Sequence, residues 1–185
     1  MPNHVKNVLK FYKLKKKDID FILETIATPQ TIPTDPIEET TYAIDFNKII
    51  PEPQILEDCP EDCRVNKDSH VEEDKDRPWF DWYTWRNKYW GTKWGAYDCY
   101  TIIGKSYIKF VFSTAWSMAY PVMERLHVLG YKYELKYADE DYGSNCGILI
   151  YDDDKTGFRS VCHYDERSDI MPNSEQFARR LWDKY

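Results

Sequence analysis

Residues 97–138 read YDCYTIIGKSYIKFVFSTAWSMAYPVMERLHVLGYKYELKYA, and this run decides the fold class. YDCYTII and SYIKFVF are β-branched and aromatic runs on either side of Gly104-Lys105, a Gly-X pair suited to a two-residue hairpin turn. Across TAWSMAYPVMERLHVLG the apolar spacing becomes helical. Met118, Val122, Leu126 and Leu129 share one face, and Gly130 is placed to cap the end. YKYELKYA then alternates again, with Tyr131, Tyr133, Leu135 and Tyr137 on one side. Two strands, a helix and a returning strand form half of a layered α+β domain.

Upstream, VKNVLKFYKL sets Val5, Asn7, Leu9 and Phe11 against Lys6, Lys10 and Lys13, the pattern of a strand with one basic face. In KKKDIDFILETIA, Asp18 can cap a helix whose Ile19, Ile22, Leu23 and Ile26 share a face. The three prolines of TPQTIPTDPIEET end that helix, and TYAIDFNKII reads as a second strand. Downstream, GILIYD and FRSVCHY predict a further hairpin across DDDKTG. PNSEQFARRLWDKY predicts a terminal amphipathic helix, with Asn173 and Gln176 in capping-box spacing and Phe177, Leu181 and Tyr185 in line. A split βαβ order of this kind predicts one α+β domain over 1–185, a ferredoxin-like antiparallel sheet packed by helices.

Composition changes sharply over 51–77, where ten acidic residues face four basic ones and no apolar anchor follows Leu56 except two valines. This is an acidic connecting insertion. PWFDWYTWRNKYWG follows as a short helix begun by Pro78 and stopped at Gly91. On a helical wheel Trp79, Trp82, Tyr83, Tyr89 and Trp90 share a broad face and Trp85 lies at its margin, which favours a buried helix over a binding platform.

The chain has 185 residues, 42% hydrophobic and 16% aromatic, enough for a core. Its formal net charge of −7 gives no long-range attraction to phosphates, so direct nucleic-acid binding is not expected. The start, MPNHVKNVLKFYKLKKK, is basic and amphipathic rather than a signal-peptide core, and no membrane span is expected. Five cysteines without secreted-scaffold spacing suit reduced thiols in a cytosol, the cell's own or that of an infected host.

The opening MPNHVKNVLKF with its Asn-His pair, the block WRNKYWGTKWGAYD, and FSTAWSMAYPVMERL followed by GYKYELKYADED occur in the order found in one family. The chain resembles the YubB-type ferredoxin-like domain proteins of phages and plasmids. The matching positions are Asn87, Trp90, Gly91, Thr92, Lys93 and Trp94, then Thr114, Ala115, Trp116 and Ser117. Met118 and Ala119 stand where the family has prolines, and Asn145-Cys146-Gly147 is all that remains of its usual Cys- or Gly-rich ending. The resemblance implies the fold and a mobile-element origin, and no established chemistry.

Catalytic and metal signatures are weak. Cys59, Cys63 and His70 have zinc-compatible spacing, with Cys99, Cys146 or Cys162-His163 as a fourth ligand, yet no second Cys pair follows. Gly104-Lys105-Ser106 lacks the earlier glycine and the following helix of a phosphate loop. Asp152, Asp154 and Gly157 echo a calcium loop whose twelfth position is His163. Ser117 has no nucleophile elbow, and Cys162 and His163 face opposite sides of a strand. No enzyme, metal or cofactor is therefore expected.

The expectation is a non-enzymatic phage or mobile-element protein in the host cytoplasm. It would inhibit a host defence protein, such as a CRISPR effector, or a nucleic-acid enzyme, by contact. Glu57, Asp58, Glu61, Asp62, Glu72, Glu73 and Asp74 are the candidate partner contacts, mimicking phosphate spacing. The alternative is nucleotide capture in a pocket of Trp90, Lys93, Trp94 and Trp116, or a role as a nucleic-acid-binding accessory. Self-association stays open.

Overall fold

The computed structural model describes residues 3–32, 39–57, 82–142, 145–152, 159–160 and 174–185. In chain order the elements are β1 (His4–Tyr12), α1 (Lys16–Ile26), β2 (Ala27–Ile32), β3 (Glu39–Ile44), α2 (Phe46–Ile49) and α3 (Gln54–Glu57). Then come α4 (Trp82–Tyr89), β4 (Tyr97–Ile103), β5 (Tyr107–Ala115), α5 (Tyr120–Val128), β6 (Tyr133–Asp139), β7 (Cys146–Tyr151), β8 (Arg159–Ser160) and α6 (Ser174–Lys184).

One antiparallel sheet runs β4-β5-β1-β6-β7-β8. Taking β1, α1, β4, β5, α5 and β6 alone gives the ferredoxin-like split βαβ order, with β7 and β8 added beyond β6. Alternation sorts the faces. Val5, Leu9 and Phe11 of β1 and Tyr133, Leu135 and Tyr137 of β6 enter a large core with Ile19, Ile22 and Ile26 of α1 and Val122, Met123 and Leu126 of α5. Leu129, expected on that face, is half exposed because α5 ends one residue earlier. On the other face, Val8, Val111, Ala138 and Cys146 receive Ala178 and Leu181 of α6, with Phe177 and Tyr185 packed beside them. The basic face of β1 therefore lies on the α6 side: Lys6 Nζ sits 4.9 Å from the Trp182 ring centroid.

Three readings change. The hairpin turn falls at Lys105-Ser106, since Gly104 N–H donates to the Tyr107 carbonyl (2.9 Å) and Ile103 pairs with Ile108. The segment after α1 is not a simple stop: β2 and β3 pair in a separate two-stranded ribbon, Ala27 opposite Ile44, which tolerates Pro29 as a large sheet's centre would not. The strand read across 41–50 ends at Ile44, because the Asp45 carboxylate accepts the Asn47 N–H (2.9 Å) and starts α2. Asn173 and most of the acidic insertion lie outside the described residues.

Trp85 proves central rather than marginal. α4 stops at Tyr89, so Trp90 leaves the helix and packs edge-on against Trp85 (5.6 Å between centroids) and Phe46 (6.0 Å). Both indoles are buried, whereas Tyr83 is exposed. Beneath them Glu52 and Arg86 form a bidentate ion pair (2.9 and 2.6 Å), and the guanidinium lies 5.1 Å from the rings of both Trp82 and Trp90.

Candidate functional site

Strand register collects the resemblance-bearing residues at one end of the sheet. His4 lies opposite Ala115 and Val5 opposite Asp139, so the start of β1 meets the ends of β5 and β6. The Gly91–Trp94 block docks there through side-chain hydroxyls. Thr92 Oγ1 donates to the Ala115 carbonyl (2.9 Å), and Ser117 Oγ donates to the Gly91 carbonyl (2.6 Å). Gly91 is required: its φ is +76°, and a Cβ would come within 2.7 Å of Pro121 Cδ.

Trp116 is the centre of this end. Its φ is +67°, and Ser117 N–H donates back to the Ala115 carbonyl (2.9 Å), closing a γ-turn with a bulky residue at its strained apex. Trp116 N–H donates to the Asn3 carbonyl (2.9 Å), and Asn145 Nδ2 donates to the Trp116 carbonyl (2.8 Å). Held this way, the indole is 41% exposed. Lys93 Nζ lies 5.7 Å from its ring centroid and 4.7 Å from that of Trp94, a cation shared by two indoles. Tyr83 meets Trp116 edge-on (6.2 Å), and Trp94 meets Tyr97 (6.0 Å).

Tyr97 continues the rim to His4, whose Nδ1 shares a 2.6 Å hydrogen bond with the Tyr97 hydroxyl. A β-bulge between Tyr97 and Tyr100, with Asp98 at φ +49°, turns Tyr97 toward that contact. Carboxylates flank it. Glu140 Oε1 accepts the His4 N–H (2.9 Å), Asp141 Oδ2 accepts from Asn3 Nδ2 (2.6 Å), and buried Asp139 accepts from Asn145 Nδ2 (2.9 Å).

Of the four residues expected to line one pocket, Lys93, Trp94 and Trp116 come together and Trp90 does not. Trp90 is 4% exposed, donates its indole N–H to the Ile50 carbonyl (3.0 Å), and borders a different cleft of about 220 Å³ with Phe46 and Asn47. Asp58, Glu61, Asp62, Glu72, Glu73 and Asp74 lie outside the described residues, as do Cys59, Cys63, His70, Cys162 and His163; Glu57 closes α3. Among the described residues no cluster of His, Cys, Asp and Glu could hold a metal ion, and no helix is long and apolar enough to cross a membrane. His4, Tyr97, Asn145 and the carboxylates at Glu140 and Asp141 were missed as site residues. The usable signal was the Asn-His pair and Asn145, already part of the resemblance.

Ionisation at this end is one-sided. Burial, then the charges of Asp98 and Glu140, push the Tyr97 hydroxyl up to about 12. Burial, then Asp98, push the Cys99 thiol up to about 12, which makes it a poor nucleophile at neutral pH. Burial raises Tyr133 as well. Each group holds its proton to higher pH folded than unfolded, where thiol and phenol ionise near 9 and 10. Between about pH 9 and 12 the folded chain binds more protons, so stability is full below that window and falls as pH rises through it. Denaturant midpoints measured across that range should drop progressively. The Tyr97→Phe, Cys99→Ala double variant should drop less; an identical slope would show that neither group is responsible.

Residues 89–183, just over half the chain, match the family model described as the ferredoxin-like domain in Api92-like protein. No curated protein and no solved structure matches the chain. The matched region supplies β4 to α6, and β1, outside it, fills the gap between β5 and β6. The chain thus belongs to the family of the ferredoxin-like domain in Api92-like protein.

Proposed function

We propose that this chain is a non-enzymatic binding protein of a phage or plasmid that inhibits a host defence protein by direct contact. The observation that carries the reading is Trp116, a large ring held outward at a strained backbone position by four hydrogen-bonded neighbours. An L-residue at such a φ costs about 1–2 kcal/mol, so a fold that keeps Trp there gains nothing in stability from it. Rigid, exposed Trp and Tyr are the side chains that dominate protein–protein contacts. The mobile-element origin and the host target rest on the family resemblance and on the acidic insertion, whose carboxylates offer a second contact by charge mimicry.

Trp116→Gly tests this cleanly, because it removes the ring and relieves the backbone together. Unfolding stability should hold or rise, by up to about 1 kcal/mol. Capture of the partner from host lysate, quantified by mass spectrometry, should fall at least about tenfold. Neutralising Glu57, Asp58, Glu61, Asp62, Glu72, Glu73 and Asp74 together tests the second contact separately. Undiminished capture by Trp116→Gly would remove the rim as the contact.

A further inference from the structure

The rim contains a bound cation of its own. Lys93 Nζ is held by the faces of Trp94 and Trp116, so these two indoles already form a cation site, filled from within the chain. What surrounds it selects the same sign of charge. Asp141 is bonded to Asn3, the residue whose carbonyl fixes the Trp116 N–H, while Glu140 is bonded to His4. Asp98 lies at the bulge that aims Tyr97, and the whole chain carries −7. A phosphate brought here would find one lysine, already engaged by aromatic faces, among several carboxylates.

We propose that the Trp94–Trp116 pair, with Tyr83 beside it, is the docking site for an arginine side chain from a basic protein surface, and that Lys93 is the internal cation it displaces. This rests on the contact reading above and names what the partner presents. Arginine fits better than lysine because its planar, weakly hydrated guanidinium stacks on indole faces and still donates to a carboxylate at its edge. The chain contains that arrangement once already. Arg86 lies 5.1 Å from the rings of both Trp82 and Trp90 while its fork binds Glu52. At the rim, Glu140 and Asp141 stand where an incoming guanidinium would need its acceptors. A nucleic-acid-binding protein surface, rich in arginine, has the complementary charge.

The decisive variant is Lys93→Ala, because the sign of its effect separates the alternatives. Titrating the full-length protein with a nona-arginine peptide, followed by tryptophan fluorescence, should show saturable, salt-sensitive binding. Lys93→Ala should bind about threefold or more tightly, its internal competitor gone, and Trp116→Gly at least about tenfold more weakly. Glu140→Gln with Asp141→Asn should also weaken it. The proposal is overturned if Lys93→Ala weakens peptide binding, or if Trp116→Gly leaves it unchanged, since the peptide would then be held by the general negative charge. Trp116-dependent binding of a single-stranded oligonucleotide in place of the peptide also overturns it, in favour of phosphate pairing by Lys93. Trp116-dependent capture of a lysate partner without any response to the peptide overturns this proposal and leaves the contact reading standing.

Discussion

Trp90→Ala should lower unfolding stability by about 3–5 kcal/mol, the usual range for deleting a buried Trp. The indole is 4% exposed and touches Phe46 and Trp85 edge-on. Its N–H is the donor to the Ile50 carbonyl, so truncation leaves both a cavity and an unpaired acceptor. The loss reaches beyond one residue, because the Arg86 guanidinium lies against the same ring. Trp94→Ala is the matched control, four positions along on the rim, and should cost less than about 1 kcal/mol. Denaturant unfolding of the two variants measures the difference. Comparable losses would contradict the division of this block into buried and rim tryptophans.

Arg86→Ala should be nearly as damaging, at about 3–5 kcal/mol, because it strands a carboxylate whose side chain is 1% exposed. Removing one member of a buried pair costs more than the pair contributes, since the remaining charge keeps its desolvation penalty. Arg86 is itself about a quarter exposed, so water can partly reach the gap and the lower end of the range is expected. Arg86→Lys keeps the charge and loses the fork, and should fall between wild type and Ala. Pairing Arg86→Met with Glu52→Gln should recover part of the loss in the same unfolding assay. If the double variant is no better than Arg86→Ala alone, the stranded charge is not the cause.

Residues 97–138 were legible because each period meets one packing surface. Tyr133, Leu135 and Tyr137 alternate against a covered sheet, and Val122 and Leu126 face it from α5. The β2–β3 ribbon was not legible: its prolines suppress the strand signal, and its pairing is local rather than part of the main sheet. Nor could a helical wheel locate Trp90, which leaves the helix at Tyr89 and packs from a turn. The rim was half visible. Lys93, Trp94 and Trp116 stood out by type, but bringing Asn3, His4 and Asn145 to them takes the register of β1 against β5 and β6, which no single segment encodes.

The Glu52–Arg86 pair has a further effect through its place in the chain. Its two residues are 34 apart, one entering and one leaving the stretch that contains the acidic run. They act as a clasp at the neck of an excursion from the βαβ crossover, fastening both stems to the core independently of the residues between. Loop-closure entropy grows only slowly with length, about 0.6 kcal/mol for each doubling. A fold clasped in this way can exchange the charge and length of that excursion as a cassette while the sheet and the aromatic rim keep their geometry.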